Sequence, residues 1–240
     1  MKYLGIDGCK KGWFFVGIND DLSFQVGVIR EFSLVRQWLD NSTLILVDIP
    51  IGLLTAGKTE RLCDLAARQM IKPRGSTVFP APARSAIYKE TYEEASAENY
   101  RCLNRKLSKQ SFEICKKIRE VDEFMRDAQP GSKIREMHPE VAFCGLHNMS
   151  PILTRKKKPD GFQERIELLR ALYPKTDAVV REAREQERFK KDLANDDILD
   201  ALVGAVTALH HRNLETLPRE PDIDDEGLPM EMVYALRSNG

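Results

Sequence analysis

The chain has 240 residues, within the size of one α/β domain and long enough to bury most of its apolar surface around one core. Hydrophobic residues make up 42% and charged residues 31%, an ordinary balance for a water-soluble protein. Lysine plus arginine equals aspartate plus glutamate at 37 each, which excludes a dedicated non-specific DNA binder, because such proteins draw their affinity from basic groups on phosphates. Any nucleic-acid contact has to be local, weak or assisted by metal.

The first stretch reads as strands. Residues 2–7 (KYLGID), 13–19 (WFFVGIN) and 24–30 (FQVGVIR) are apolar, aromatic or β-branched, and DGCKKG and NDDLS separate them as turns. They form a three-stranded meander. Because the first strand starts at once, there is no room for a signal peptide, and no apolar run reaches membrane-spanning length. Residues 31–40 carry Phe32, Val35 and Leu39 at helical spacing. Residues 43–49 (TLILVDI) are nearly continuous in apolar character and fit a central strand buried on both faces.

After Pro50 the pattern turns helical. Segments 60–71, 91–105 and 108–128 show helical periodicity, with residues 73–88 an ordered loop between the first two. We read about 55–130 as a helical insertion into a single domain spanning 1–240, because no flexible linker brackets it. Residues 133–137 (KIREM) form a short strand, 151–160 (PILTRKKKPD) a basic loop, and 161–173, 177–190 and 196–211 helices. The architecture expected is a mixed sheet that begins with an antiparallel meander, flanked by helices and ending on a buried helix. The segment 220–226 is acidic and would repel a phosphate backbone. Five cysteines, odd in number and without a CxxC pair, argue for reduced thiols and a cytoplasmic location.

Four aspartates stand out. Asp7 ends the first strand, where Asp-Gly alone would be read as a turn. Asp48 interrupts the most apolar strand, and a charge there is costly unless it is paired or bound to a cation. Asp197 and Asp200 lie three apart, on one face of the last helix (NDDILDALVGAVTAL). Capping explains an acid in the first turn, but explains Asp200 less well because it lies deeper. Asp197, nearer the helix start, is expected to point at the strand ends. Together the four make an oxygen-ligand set suited to Mg²⁺ or Mn²⁺. In REMHPEVAF, Glu136 is the candidate fifth acid, with Glu140 as the alternative and His138 as a hydrogen-bonded structural residue. Arg74, Ser76 and Arg84 in the loop KPRGSTVFPAPARS, and Lys156, Lys157 and Lys158 in TRKKKPDG, are candidates for meeting phosphate.

The segments GIDGCKKGW, VDIPIGL, RLCDLAARQ, GSTVFPAPARSAIY, KIREMHPEVAF and DDILDALVGAVTA, in this order from about residue 3 to about 210, resemble an uncharacterised family of predicted nucleases, domain of unknown function 429. The resemblance implies an RNase H-like fold: a mixed five-stranded sheet flanked by helices. It implies a metal-dependent nuclease hydrolysing DNA or RNA, with an acid on the first strand, one on the fourth and one or two on the last helix. Asp7, Asp48, Asp197 and Asp200 match those places. Holliday-junction resolvases look closest, since there too a lysine-bearing stretch precedes an Asp-x-x-Asp helix. The helical insertion departs from that branch.

Two other functions compete. A phosphotransferase or ATPase of the actin and sugar-kinase type shares strand-end acids, but DGCKKGW lacks the hydroxyl of its phosphate loop and no late Gly-Gly adenosine segment is present. The third reading is a non-catalytic nucleic-acid-binding module that keeps the acids as an ion-pair site. The oligomeric state is left open, a homodimer included.

Overall fold

The computed structural model describes residues 1–127, 133–185 and 193–237. β1 (Tyr3–Cys9), β2 (Gly12–Ile18) and β3 (Phe24–Ile29) form the expected antiparallel meander. β4 (Leu44–Val47) runs parallel to β1, and β5 (Ile134–Glu136) parallel to β4. The strand order is β3-β2-β1-β4-β5, a mixed five-stranded sheet with helices on both faces.

The period-two alternation of the strands divides the core. Leu4, Ile6, Trp13, Phe15, Ile45 and Val47 point to one face, and Phe14, Val16, Leu44 and Leu46 to the other. Both sets are buried, which is why the β4 sequence is apolar at every position. The first face is covered by a short helix after β3, α1 (Arg36–Leu39, preceded by a 3-10 turn), and by α5 (Cys115–Asp127). The second is covered by α6 (Pro139–Leu146), α7 (Pro159–Leu172), α8 (Thr176–Glu185) and α9 (Asn195–Leu209). Of the helix expected at 177–190, residues 186–190 lie outside the described residues.

α9 lies against β1 at backbone distance. A Cβ at Gly5 would stand 2.0 Å from the Ala201 carbonyl oxygen, and Gly204 meets the Gly5 Cα from the other side. Only glycines permit this approach. It aligns the first turns of α9 with the C-terminal end of β1.

The insertion supplies α2 (Leu62–Met70), 3-10 turns at Arg74–Thr77 and Arg84–Tyr88, α3 (Tyr92–Leu103), α4 (Lys109–Glu113) and α5. A capping box of Thr91 and Glu94 starts α3. The continuous helix expected at 108–128 is broken at Ile114, and residue 128 lies outside the described residues.

The end of the chain corrects the sequence reading. It does not finish on a buried helix: β6 (Leu214–Ile223) and β7 (Pro229–Ala235) form an antiparallel hairpin. Its Met230, Met232 and Tyr234 cover a third apolar cluster, with Cys63 and Ala67 of α2 and Cys144 of α6. The acidic stretch there is structural. Asp224 is buried and accepts the backbone N–H groups of Leu53, Glu226 and Leu228, while Lys58 binds Asp222. The acids tie the insertion to the hairpin turn. No helix of the described residues is long and apolar enough to cross a membrane.

Candidate functional site

Strand geometry brings the first two aspartates together. In the parallel pair β1/β4, Ile6 is opposite Val47, so Asp7 and Asp48 follow as the next positions in register, on strands ~4.8 Å apart. The Asp48 N–H donates to the Ile6 carbonyl, continuing the ladder. Alternation turns both side chains to the face covered by α9. The close packing at Gly5 then sets Asp200 over them, since Asp200 is one turn before Gly204 on the same helix face.

A cation is bonded to one of these acids. The ammonium of Lys156, from the loop before α7, binds Asp200 Oδ2. Asp200 Oδ1 is buried and has no hydrogen-bond partner. Burial, then Asp48, Asp200 and Asp197 in turn, hold the Asp7 carboxyl well above its ordinary range. Burial and then Asp200 push Asp48 up to about 8 against the opposing pull of Lys156. Burial raises Asp200 to about 6, with Lys156 again opposing. The group therefore holds more negative charge than its own lysine neutralises, and takes up protons in answer.

Asp197 plays a lesser part than its position suggested. Its carboxylate accepts the Ala194 N–H at 2.9 Å and so closes the start of α9. Burial also raises it, and its charge acts on Asp7. Asp200 is the deeper and more central residue.

Residues 5–223 match the family described as "Protein of unknown function (DUF429)". The chain belongs to that family. No curated protein and no solved structure matches it. In this DUF429 chain the match covers the sheet, the insertion, α9 and the acidic strand β6.

Asp7 and Asp48 open on a cavity of about 460 Å³ that Arg74, Ser76, Glu136 and Lys156 also line. Glu136 is not a free ligand. Arg61 donates to both its oxygens at 2.7 and 2.8 Å, and the Ile51 N–H adds a third bond at 2.7 Å. Arg61 also binds Asp64 at 2.6 Å, and all three side chains are buried. Burial still raises Glu136 to about 7, with Arg61 holding it down. Glu140, the alternative, is gripped by Arg165 at 2.9 and 2.8 Å. Both glutamates are spent on buried arginines.

His138 caps α6 by accepting the Glu140 N–H at Nδ1, which leaves Nε2 to donate toward the Thr77 carbonyl at 3.3 Å. Burial and then Lys156 lower it to about 4, so it is neutral at physiological pH.

Three of the candidate phosphate contacts lie elsewhere. Arg84 is buried between Asp122 and Asp224, where its guanidinium ties the insertion to the β6–β7 hairpin. Lys157 is 78% exposed and 3.5 Å from Asp196, and exposed Lys158 precedes α7. Neither lines the cavity with Lys156. In compensation α5 sends in Lys117, which sequence reasoning missed. Its ammonium donates to the Gly12 carbonyl, lies 4.5 Å from the centre of the Trp13 ring, and is close enough to Asp7 and Asp197 for both charges to act on it. Nothing in the run CKKI distinguishes it from a solvated lysine.

Proposed function

We propose that this chain is a divalent-metal-dependent nuclease with an RNase H-like core, acting on the phosphodiester bonds of DNA or RNA in the cytoplasm. The observation that carries the reading is the convergence of Asp7, Asp48 and Asp200, from two adjacent parallel strands and a helix packed on them, with Asp200 Oδ1 buried and unpartnered. The strand order, with a meander followed by two parallel strands, supports an RNase H-like core.

A phosphate cannot come up to ionised Asp7, Asp48 and Asp200 unless positive charge accompanies it. The donor set is all carboxylate, which suits Mg²⁺ or Mn²⁺. Asp7, Asp48 and Asp200 would hold the ion, with Asp197 at the edge. When bound, such an ion polarises the phosphate and lowers the pKa of a water. Among the described residues no three His, Cys, Asp or Glu side chains are gathered tightly enough to hold a metal ion. Lys156 stands among the acids instead, and must give up Asp200 for the carboxylates to close in. Lys117 and Arg74 then stand beside the cavity as further cations for the phosphate.

The test is a cleavage screen with single-stranded, duplex and branched DNA and RNA, in Mg²⁺ or Mn²⁺ and in EDTA, on the wild type and on Asp7→Asn and Asp48→Asn. Metal-dependent cleavage that falls to background in both variants is expected. Metal binding unchanged in both, by calorimetry, would refute the assignment.

A further inference from the structure

The cavity beside the acids is walled on opposite sides by the insertion. On the β2 side stands Lys117, bound to the Gly12 carbonyl. On the β5 side stands the loop of Arg74, Ser76 and Phe79, whose Thr77 carbonyl meets the His138 ring. β1 and β4, which carry Asp7 and Asp48, lie between them in the strand order. At about 460 Å³ this half-open space falls within the ~300–1,000 Å³ that holds one small ligand. Its volume suits one nucleotide.

The lining offers both kinds of contact a nucleotide needs. Lys117, Lys156 and Arg74 supply cations beside the carboxylates Asp7, Asp48, Glu136 and Glu140, and Ile49, Pro50 and Phe79 supply apolar surface. Phe79 is 43% exposed, and no ring of the described residues stacks on it. It precedes Pro80 in the run FPAP, so its loop is stiff and loses little freedom when the ring is covered. Arg74 is held only by long contacts, 3.3 Å to the Leu153 carbonyl and 3.9 Å to Glu140, and its Nε is buried without a partner. A guanidinium so weakly satisfied is available to an anion.

We propose that this cavity takes a single nucleotide unstacked from its neighbours, its base against Phe79 and its phosphate toward Arg74. Resting on the nuclease reading, this makes single-stranded ends and unpaired nucleotides the substrate class, and excludes uninterrupted duplex.

Calorimetry on the full chain in Mg²⁺, with adenosine 5′-monophosphate, ribose 5-phosphate and inorganic phosphate as probes, tests the pocket without any cleavage. The nucleotide is expected to bind at least ~10-fold tighter than ribose 5-phosphate, through base stacking. Phe79→Ala should erase that difference and Phe79→Trp should keep it, both with an unchanged melting temperature. Equal affinity for nucleotide and ribose 5-phosphate, or no effect of Phe79→Ala, overturns the proposal. Cleavage assays on the same variants separate the two readings. Nucleotide binding that depends on Phe79 without cleavage of any substrate sinks the nuclease and leaves the pocket. Duplex cut as fast as single strands, with or without Phe79, sinks the pocket and leaves the nuclease.

Discussion

Replacing Asp48 with asparagine keeps the side chain's shape and removes its charge. In the metal-free protein, burial and the Asp200 charge raise this carboxyl from 3.8 to about 8. In the unfolded chain it ionises near pH 4, whereas in the fold it keeps its proton until about pH 8. The native state thus binds more protons between these limits, and the group costs stability progressively as pH rises from about 4 to about 8. At pH 7 the full effect over about three pH units, at 1.36 kcal/mol each, is ~4 kcal/mol. Asp48 borders the cavity and keeps contact with water, so about 2 kcal/mol is the realistic figure. Asp48→Asn escapes this cost. Its melting temperature in EDTA should exceed that of the wild type by roughly 4–8 °C at pH 7 and match it at pH 4. Added Mg²⁺ or Mn²⁺ should raise the wild-type value and leave the variant unmoved. Scanning calorimetry at both pH values decides it. A variant that melts below the wild type at pH 7 in EDTA would show that Asp48 is held as a satisfied anion, and that the charge-crowding argument is wrong.

Asp200→Asn should shift stability in the same direction but by less, because Lys156 opposes burial and leaves this carboxyl raised only to about 6. A gain smaller than that of Asp48→Asn is expected in a urea titration at pH 7 in EDTA, since Lys156 loses its bonded anion. A loss of stability would show that the ion pair outweighs the burial of the carboxylate. Arg61→Leu strands Asp64 and Glu136 in the core and should cost ~3–5 kcal/mol at pH 7. That deficit should shrink in acid, as Glu136 takes up its proton, and a pH-independent loss would argue against the ion-pair account. Gly5→Ala has to push α9 off β1 and should yield little folded protein, whereas Gly57→Ala meets no atom within 4 Å and pays only for its positive φ, ~1 kcal/mol. Equal yields and circular dichroism for the two would refute the close packing that carries the site.

Much of the architecture was legible because it depends on local pattern. Alternation in WFFVGIN and FQVGVIR, and the unbroken apolar run of LILV, report which side chains a strand buries, and each strand lies where its pattern predicts. Asp7 and Asp48 were conspicuous as charges closing such strands, and Asp200 as an acid inside an apolar helix. The β6–β7 hairpin was hidden because its outer strand is polar and its turn acidic, which in isolation describes a solvated tail. Asp224 makes that acidity structural only by meeting Arg84 and the Leu53 N–H, 140 and 171 residues away in the chain.

What the sequence determined by itself was the set of elements and the acids at their ends, since periodicity and burial are properties of short segments. What only the tertiary structure decided was the pairing of charges. Lys156, Lys157 and Lys158 are equivalent on paper, as are Arg74 and Arg84. Packing draws Lys156 among the acids and leaves its two neighbours outside the cavity. It locks Arg84 into the insertion and leaves Arg74 loosely held at the cavity. The reason is that a charge is stabilised or stranded by whatever lies within a few ångströms, and those neighbours come from distant parts of the chain.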